Sequence, residues 1–300
     1  MKHVWLFLKG IAMGAADVVP GVSGGTVAFI TGIYTELLDS IKSINLNALR
    51  LLFKEGPKAA WQAINGNFLL VLGSGILLAL LSLAKLLHHL LLTQPELLWS
   101  FFFGLILASS WHMAKQIPQW RLSRIMILLA GVVIAAAISL ASPASVEPTL
   151  LIIFLAGSVA ICAMILPGIS GSFILLLMGL YEPVLAAVKA FELSIMLVFA
   201  LGAGLGLMLF SRLLSWCLHH YQALMFALLT GFMLGSLVKV WPWKETLSTR
   251  INSKGEQVPF IQSNIWPDFS QPESLLVSLG LLVAGAAVVL VLEKVARQPG

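Results

Sequence analysis

The sequence predicts an all-α, multi-pass membrane protein that consists of two related halves. The chain has 300 residues, of which 59% are hydrophobic and 10% are charged, whereas soluble domains carry roughly 25% charged residues. Six separate apolar runs are long enough to cross a bilayer, and two longer apolar stretches are each broken by Pro-Gly. So few charges cannot solvate a body of this size, which excludes a cytosolic enzyme, a secreted domain and a disordered chain.

The remaining composition argues against several other partners. The net charge of +5 comes from basic residues in short loops, without the aromatic-interleaved basic stripe of a nucleic-acid interface. Cys162 and Cys217 lie in apolar runs at no metal-ligand or redox spacing. We therefore expect no nucleic-acid partner, no metal and no cofactor.

The transmembrane helices follow from the length of the apolar runs. A spanning helix needs about 20 mostly apolar residues. The runs that meet this length lie at about 68–92, 97–113, 124–141, 194–218, 223–238 and 274–292. The segment 242–272 is rich in Pro, Ser, Asn and charges of both signs, so it is predicted as an external loop that contains a small hairpin or is disordered.

Two apolar stretches, 4–41 and 149–188, are each about twice the length of one span. Pro20-Gly21 interrupts the first and Pro167-Gly168 the second. Proline removes a backbone donor and glycine tolerates unusual dihedral angles, so each stretch is predicted to form a helix, a sharp break and a second helix. We interpret both as re-entrant hairpins that enter the membrane and return to the same side.

The two broken stretches are copies of one another at an offset of 147 residues. The shared positions are special residues rather than interchangeable Leu and Val, which makes chance an unsatisfactory explanation. They include Gly10, Ala16, Pro20, Gly21, Ser23, Gly24, Gly32 and Tyr34, which match Gly157, Ala163, Pro167, Gly168, Ser170, Gly171, Gly179 and Tyr181. We therefore divide the chain into a first repeat, 1–145, and a second repeat, 146–300.

The repeat continues more weakly beyond the hairpins. The segment 72–75 resembles 201–204, and 104–109 resembles 231–236 at a slightly smaller offset. Each half then contains one hairpin and three crossings, and because three is odd, the halves are inverted with respect to the membrane. Inverted repeats with broken helices are typical of secondary transporters, whose substrate site lies between the repeats.

The distribution of Lys and Arg predicts the orientation, because cytoplasmic loops are enriched in both. With both termini inside, the inner side collects Lys2, Lys9, Lys42, Arg50, Lys54, Lys58, Lys115, Arg121, Arg124, Arg212, Lys294 and Arg297. The outer side keeps Lys85, Lys189, Lys239, Lys244, Arg250 and Lys254. Twelve basic residues on the inner side against six on the outer side favour cytoplasmic amino and carboxyl termini.

The hairpin tips are the first candidate site. The motif Pro-Gly-Val-Ser-Gly-Gly-Thr precedes an apolar helix in the first half, and Pro-Gly-Ile-Ser-Gly-Ser does so in the second. Free amide groups at a helix start, with the positive end of the helix dipole, favour an anion. The candidate phosphate-binding residues are Ser23, Gly24, Gly25, Thr26, Ser170, Gly171 and Ser172. The competing interpretation is that Gly-Ser-Gly only permits tight packing.

Four further charged residues are candidates. An ionisable group within the membrane is a functional candidate by default, and Asp17 is the acidic residue of the first hairpin's entering arm. It is predicted to couple transport to an ion or proton, or to cap the hairpin loop. Glu182 is a second candidate for coupling. The competing interpretation is that it lies at a solvated or interfacial end of the hairpin. Lys85 and Arg212 lie inside long apolar runs, where they bind an anionic head group or extend to the interface.

These motifs resemble a known family. The block 10–41, together with Leu-Pro-Gly-Ile-Ser-Gly-Ser from Leu166, is similar to the bacterial undecaprenyl-phosphate translocases, and the resemblance covers essentially the whole chain. It implies a flippase in the bacterial cytoplasmic (inner) membrane that returns the lipid carrier undecaprenyl phosphate from the outer to the inner leaflet for envelope recycling. The expected mechanism is alternating access of the two repeats, with Arg212 and Lys85 guiding the phosphate and Asp17 coupling to a proton or sodium ion.

Other interpretations stay open. An ion or small-anion transporter would keep the same fold and loops. An intramembrane polyprenyl-pyrophosphate phosphatase is less favoured, because neither hairpin motif contains an arginine or a carboxylate cluster for phosphoryl transfer. The partners expected besides the lipid substrate are membrane lipids, and a homodimer is left open.

Overall fold

A computed structural model describes residues 2–19, 22–144, 146–251, 257–270 and 272–296. The predicted break residues Pro20 and Gly21 lie outside the described residues. Within the described ranges the chain forms fourteen α-helices and one two-stranded sheet. The fold is therefore helical, as the sequence predicts, with a small sheet added at one end.

The elements of the predicted first repeat, 1–145, are α1 (Lys2–Val18), α2 (Gly24–Ile30), α3 (Tyr34–Lys42), α4 (Leu46–Lys54), α5 (Pro57–Ala63), α6 (Gly66–Thr93), α7 (Pro95–Lys115) and α8 (Leu122–Leu140). Those of the second are α9 (Leu150–Ile165), α10 (Gly171–Leu177), α11 (Tyr181–Lys189), α12 (Leu193–His220), α13 (Gln222–Val240), β1 (Lys244–Ile251), β2 (Gln257–Asn264) and α14 (Pro272–Ala296).

Six of these helices, namely α6, α7, α8, α12, α13 and α14, are long and apolar enough to cross a membrane. Each coincides with one predicted span to within a few residues. The agreement has a physical cause, because a long apolar run in lipid can satisfy its backbone only as a helix. The protein is a multi-pass membrane protein.

The two broken stretches differ in detail from the prediction of one break each. Each contains a second break, after the short helices α2 and α10. Gly32 and Gly179 adopt positive φ angles of 72° and 71° there, in a region that favours glycine. In the second stretch α10 and α11 are bent by 110° relative to each other. The re-entrant course of both stretches remains a prediction.

The segment between the first broken stretch and α6 forms two short helices that the sequence analysis left unassigned. Along α4, Leu46 and Phe53 are 72% and 81% exposed, close to the cationic side chain of Lys54. An apolar exposed face beside basic residues is typical of a helix that lies in a membrane interface. We therefore expect α4 and α5 to rest on the membrane surface.

The main helix pairs of one predicted repeat have counterparts in the other. Helix α1 packs along α6 as α9 packs along α12. The third span of each half packs on the second span of the other, α8 on α13 and α14 on α7, while α7 and α13 contact each other. If each helix is replaced by its counterpart in the other predicted repeat, the same set of packed pairs results. Each half therefore completes its packing with a helix of the other half.

Close glycine contacts repeat in the same way. A Cβ atom on Gly10 of α1 would overlap the carbonyl oxygen of Leu72 on α6. A Cβ atom on Gly157 of α9 would overlap the carbonyl oxygen of Phe199 on α12. The two glycines, Gly10 and Gly157, are 147 residues apart in sequence, whereas the residues that they meet, Leu72 and Phe199, are 127 apart.

This spacing corrects one sequence alignment. The match of 72–75 with 201–204 implies an offset of 129, but the observed contacts of α6 and α12 give 127. The small residues of these helices are locally similar at both offsets, so the sequence alone did not separate them. At 127, Lys85 and Arg212 occupy equivalent positions.

The predicted external loop contains the small hairpin that the sequence analysis allowed. Strands β1 and β2 pair antiparallel, and the indole N–H of Trp241 donates to the carbonyl oxygen of Ile265 at 2.9 Å. The hairpin is thereby fixed next to the end of α13.

Candidate functional site

The tips of the two broken stretches meet in the interior of the molecule. The Ser23 hydroxyl donates to the carbonyl oxygen of Met164 at 2.9 Å, and the Gly168 N–H donates to Thr26 Oγ1 at 2.9 Å. Ser23 and Thr26 are 1% and 0% exposed. The predicted candidates of the two halves are therefore close in space, and several of their polar groups already bond across the junction.

The start of α2 is capped by a carboxylate of the protein itself, that of Asp17. Ser23 accepts a hydrogen bond from the Gly25 N–H at 3.1 Å, and Asp17 Oδ1 accepts one from the Gly24 N–H at 2.7 Å. A carboxylate at a helix start is favoured by the free amides and the dipole. Of the two roles predicted for Asp17, the capping role thus has a direct contact, and the coupling role stays a proposal.

The second tip is built differently. Met164 stands at the position equivalent to Asp17, and it is 38% exposed. The hydroxyls of Ser170 and Ser172 bond to each other at 2.9 Å, and no side chain caps the start of α10 at Gly171. The two tips therefore differ in charge as well as in capping.

The predicted cations Lys85 and Arg212 have exposed side chains on α6 and α12. Both positions face outward from the bundle rather than into the buried junction of the tips. Their proposed part in guiding a head group therefore concerns the surface of the protein.

One end of the molecule carries a polar cluster between α3 and α12. Asp39 Oδ1 on α3 accepts a hydrogen bond from the Ser215 hydroxyl on α12 at 2.6 Å. Lys42 Nζ donates to the same hydroxyl at 3.2 Å, and His219 Nε2 lies 3.7 Å from Asp39 Oδ2. Through these contacts α3 of the first repeat is held along α12 of the second.

The opposite end contains a cavity of about 700 Å³ between the second broken stretch, the spans and the β-hairpin. Volumes of roughly 300–1,000 Å³ are usual for ligand pockets. The predicted candidate Glu182 lines it, together with Trp99 of α7, Phe173 of α10 and the two lysines Lys239 and Lys244. The repeat equivalent of the packing of α3 on α12 would be α11 on α6, but here α11 lines the cavity.

The lysines are held against aromatic rings. Lys244 Nζ lies 3.9 Å from the centroid of a Trp99 ring and donates to the carbonyl oxygen of Lys239 at 2.7 Å. Lys239 Nζ lies 4.4 Å from the centroid of the Phe173 ring. Burial, together with the neighbouring Lys239 ammonium, lowers the pKa of Lys244 to about 7.

Sequence reasoning did not select this lysine pair. It counted Lys239 and Lys244 among the basic residues of the outer side, where they served only to predict the orientation. A usable signal exists in Lys-Val-Trp-Pro-Trp-Lys at 239–244, where two lysines flank aromatic residues at the end of an apolar run. The partners Trp99 and Phe173 are distant in sequence, so the cavity itself could not be foreseen.

Among the residues that the structure describes, no group of three or more His, Cys, Asp and Glu side chains is placed to hold a metal ion.

Comparisons with known proteins identify the family. Residues 13–258 match the family described as VCA0040-like, undecaprenyl phosphate translocase-like. The chain belongs to this translocase-like family. A polyprenyl-phosphate transporter of Vibrio cholerae serotype O1 (strain ATCC 39315 / El Tor Inaba N16961) is 54% identical over 303 residues, covering 99% of this chain and 98% of that protein.

A second relative is less similar in sequence. The polyprenyl-phosphate transporter of Staphylococcus aureus (strain NCTC 8325 / PS 47) is 35% identical over 258 residues, covering 79% of this chain and 86% of its own length. No solved structure matches the chain. Both relatives are named as transporters, which confirms the predicted resemblance and supports a transporter rather than an enzyme.

Proposed function

We propose that this protein carries a polyprenyl phosphate, undecaprenyl phosphate in the first instance, from the outer to the inner leaflet of a bacterial cytoplasmic membrane. Family membership supports the substrate class. The structural observation behind the transport route is the asymmetry of the two ends. One end is closed by the Asp39–Ser215 contact, while the other contains the cavity next to α11.

The orientation rests on the Lys and Arg distribution. With both termini cytoplasmic, the closed end lies inside and the cavity lies outside. An outward-open state of this kind is ready to receive a lipid whose head group starts in the outer leaflet. The long prenyl tail remains in the bilayer during transport, so only the small anionic head has to cross the protein.

The mechanism proposed is alternating access of two inverted repeats. It is supported by the exchange-symmetric helix pairs and the repeated glycine contacts. In the inward-open state α11 would pack along α6, as α3 packs along α12 here. Such motions relocate the opening around a site between the repeats.

The hairpin tips would form the central passage. Ser23, Gly24, Gly25 and Thr26 of the first tip, with Ser170, Gly171 and Ser172 of the second, offer the hydroxyl and amide groups that replace hydration of the phosphate. The bonds from Ser23 to Met164 and from Gly168 to Thr26 satisfy these groups when no head group is present. During transit, hydrogen bonds from these groups to the phosphate would replace the hydrogen bonds within the protein.

The remaining candidates have supporting roles. Lys85 and Arg212 would attract the head group at the surface, one near each leaflet. Asp17 would couple the cycle to a proton or a sodium ion, with Glu182 as a second ionisable group at the cavity. A homodimer is not required for this cycle.

The test is a leaflet-resolved assay in proteoliposomes with labelled undecaprenyl phosphate. The wild-type protein should move the label between leaflets faster than protein-free vesicles, and Thr26→Val should slow it at least tenfold. Thr249→Val, an exposed threonine of β1, is the matched control. Uptake of inorganic phosphate without lipid movement would instead favour the small-anion transporter.

A further inference from the structure

Lys239 and Lys244 bring two ammonium groups into one half-buried site. Lys239 belongs to the last turn of α13 and Lys244 begins β1. Within the described part of the chain, neither ammonium makes an ion pair with a carboxylate; their contacts are the rings of Phe173 and Trp99 and one carbonyl oxygen. Desolvating two like charges without a counter-ion is costly. A site arranged in this way is incomplete without an anion.

The aromatic contacts hold the ammonium groups without neutralising them. A cation over an aromatic face is attracted by the ring quadrupole, but the ring contributes no net charge. The lysines are therefore kept in place while their positive charge remains available to a ligand.

The carboxylates of the same cavity are engaged elsewhere. Glu96 of α7 accepts hydrogen bonds from the Trp243 indole N–H at 2.8 Å and from the Ser278 hydroxyl at 2.7 Å. Asp268 accepts from the backbone N–H and hydroxyl of Ser270, and Glu182 has interactions of its own. These acids limit the excess of positive charge, and they leave the lysine pair for a ligand.

The rest of the cavity is suited to a hydrocarbon chain. Its volume of about 700 Å³ is much larger than a phosphate group needs, and leucine side chains from four helices line part of it. They include Leu91 of α6, Leu176 of α10, Leu185 of α11 and Leu275 of α14. A ligand with an anionic end and an apolar body would satisfy both parts of this lining.

We propose that the Lys239–Lys244 pair binds the phosphate monoester group of the lipid substrate in the outward-open state, with the first prenyl units along the leucine-lined wall. The proposal rests on the proposed function and adds a loading site that precedes the hairpin tips. Phosphate in this position bridges two separate elements, α13 and the β-hairpin. Binding thus links the end of a transmembrane helix to the external loop.

A pH dependence follows from the same arrangement. The titratable groups that line the cavity are Glu96 of α7, Tyr181 and Glu182 of α11, Lys239 of α13, Lys244 of β1 and Asp268. An anion stabilises the protonated form of Lys244, so binding takes up a proton above neutral pH. Affinity should therefore fall from pH 7 to pH 9, a range in which a phosphate monoester, with its second pKa of about 6, stays dianionic.

The experiment measures binding of farnesyl phosphate, farnesol and inorganic phosphate to the full chain in detergent. The wild-type protein should prefer farnesyl phosphate to both other probes. Lys239→Gln and Lys244→Gln should each raise the Kd for farnesyl phosphate at least tenfold, and Lys244→Gln should also flatten its pH dependence. Lys58→Gln, an exposed lysine of α5, removes the same charge elsewhere and should have no effect.

The outcomes separate this site from the transport function. Folded lysine variants that bind farnesyl phosphate within twofold of wild type, or equal binding of farnesol, would overturn the site. Stronger binding of inorganic phosphate than of farnesyl phosphate would overturn the lipid assignment. If the lysine variants lose binding while wild-type protein moves no lipid in vesicles, the site stands and the transport proposal fails. Thermal unfolding temperatures identify variants that lose binding only because they fail to fold.

Discussion

Asp17 Oδ1 accepts a 2.7 Å hydrogen bond from the backbone N–H of Gly24, the first residue of α2. The carboxylate crosses the break between α1 and α2 to reach this amide. It therefore occupies the position at the first helix start where the sequence analysis expected an external anion. A phosphate that approaches this tip meets a negative charge unless Asp17 is protonated or paired with a cation.

The first prediction concerns this residue. Asp17→Asn keeps an acceptor oxygen but removes the charge, so the variant should fold and should lose the response of lipid transport to an imposed proton or sodium gradient. Asp17→Ala also removes the acceptor and should lower stability by roughly 0.5–2 kcal/mol. Gradient-dependent transport in proteoliposomes and thermal unfolding measure the two effects. Native transport by Asp17→Asn under every gradient would leave Asp17 as a cap alone.

The second prediction uses neighbouring glycines of α6. A Cβ atom on Gly75 would overlap the carbonyl oxygen of Phe7 on α1, whereas a Cβ atom on Gly73 meets nothing within 4 Å. Gly75→Ala should therefore destabilise the protein by about 1–3 kcal/mol, because backbone must move. Gly73→Ala should be neutral or stabilising, since alanine favours helix.

Two glycines of α12 supply a parallel test, in which Gly202 is the equivalent of Gly75 at the offset of 127 residues. A Cβ atom on Gly202 would overlap the carbonyl oxygen of Phe154, whereas a Cβ atom on Gly204 meets nothing within 4 Å. In thermal unfolding, Gly202→Ala should destabilise the protein, as Gly75→Ala does. Gly204→Ala should be neutral or stabilising, as Gly73→Ala is. A large loss at 204 with none at 202 would contradict the packing equivalence of the two helices.

The third prediction concerns the closed end. Asp39→Cys with Ser215→Cys, in a background without Cys162 and Cys217, should form a disulfide that fixes α3 against α12. Oxidation should then stop lipid transport and a reducing agent should restore it. Each single cysteine variant is a control and should be insensitive to oxidation. Undiminished transport by the fully cross-linked protein would show that this contact does not open.

The fourth prediction is a pH effect on stability. Burial keeps the pKa of Lys244 at about 7 in the folded protein, below the ordinary lysine value of 10.5. As pH falls from 10.5 towards 7, the unfolded chain takes up a proton that the folded protein does not, so stability is lost over this window. Below pH 7 both states are protonated and the loss is complete.

Lys244→Met removes this titration. The variant should unfold at a higher temperature than wild type at pH 7, and the difference should shrink as pH approaches 10. Lys58→Met provides the comparison at an exposed site. An unfolding temperature of Lys244→Met that is below wild type at every pH would argue that the ammonium contributes to stability instead.

The sequence predicted the six spans well because long apolar runs have one solution in lipid. It predicted the breaks only in part: Pro167-Gly168 was recognised, but the second break at Gly179 was not, since a single glycine is weak evidence without its φ angle. The contact of Asp17 with the start of α2 was available as a capping alternative because the two lie seven residues apart.

The lysine cavity was not predictable from the sequence. Its parts come from α6, α7, α10, α11, α13, α14 and the β-hairpin, and no local pattern reports how they are assembled. Lys239 and Lys244 attract attention only when their ammonium groups are seen against Trp99 and Phe173. In sequence they are two more basic residues near a membrane boundary.

The packing of α8 on α13 and of α14 on α7 joins helices of different halves of the chain. It therefore also affects how the protein folds while it is being synthesised. When the ribosome has completed α8, the helix that will cover it has not yet been made, so the first half must wait in the membrane with an unfilled face. Two fragments separated near residue 145 should therefore be degraded when expressed singly and should accumulate when expressed together. Translation order, rather than thermodynamics alone, sets when this protein first becomes resistant to proteolysis.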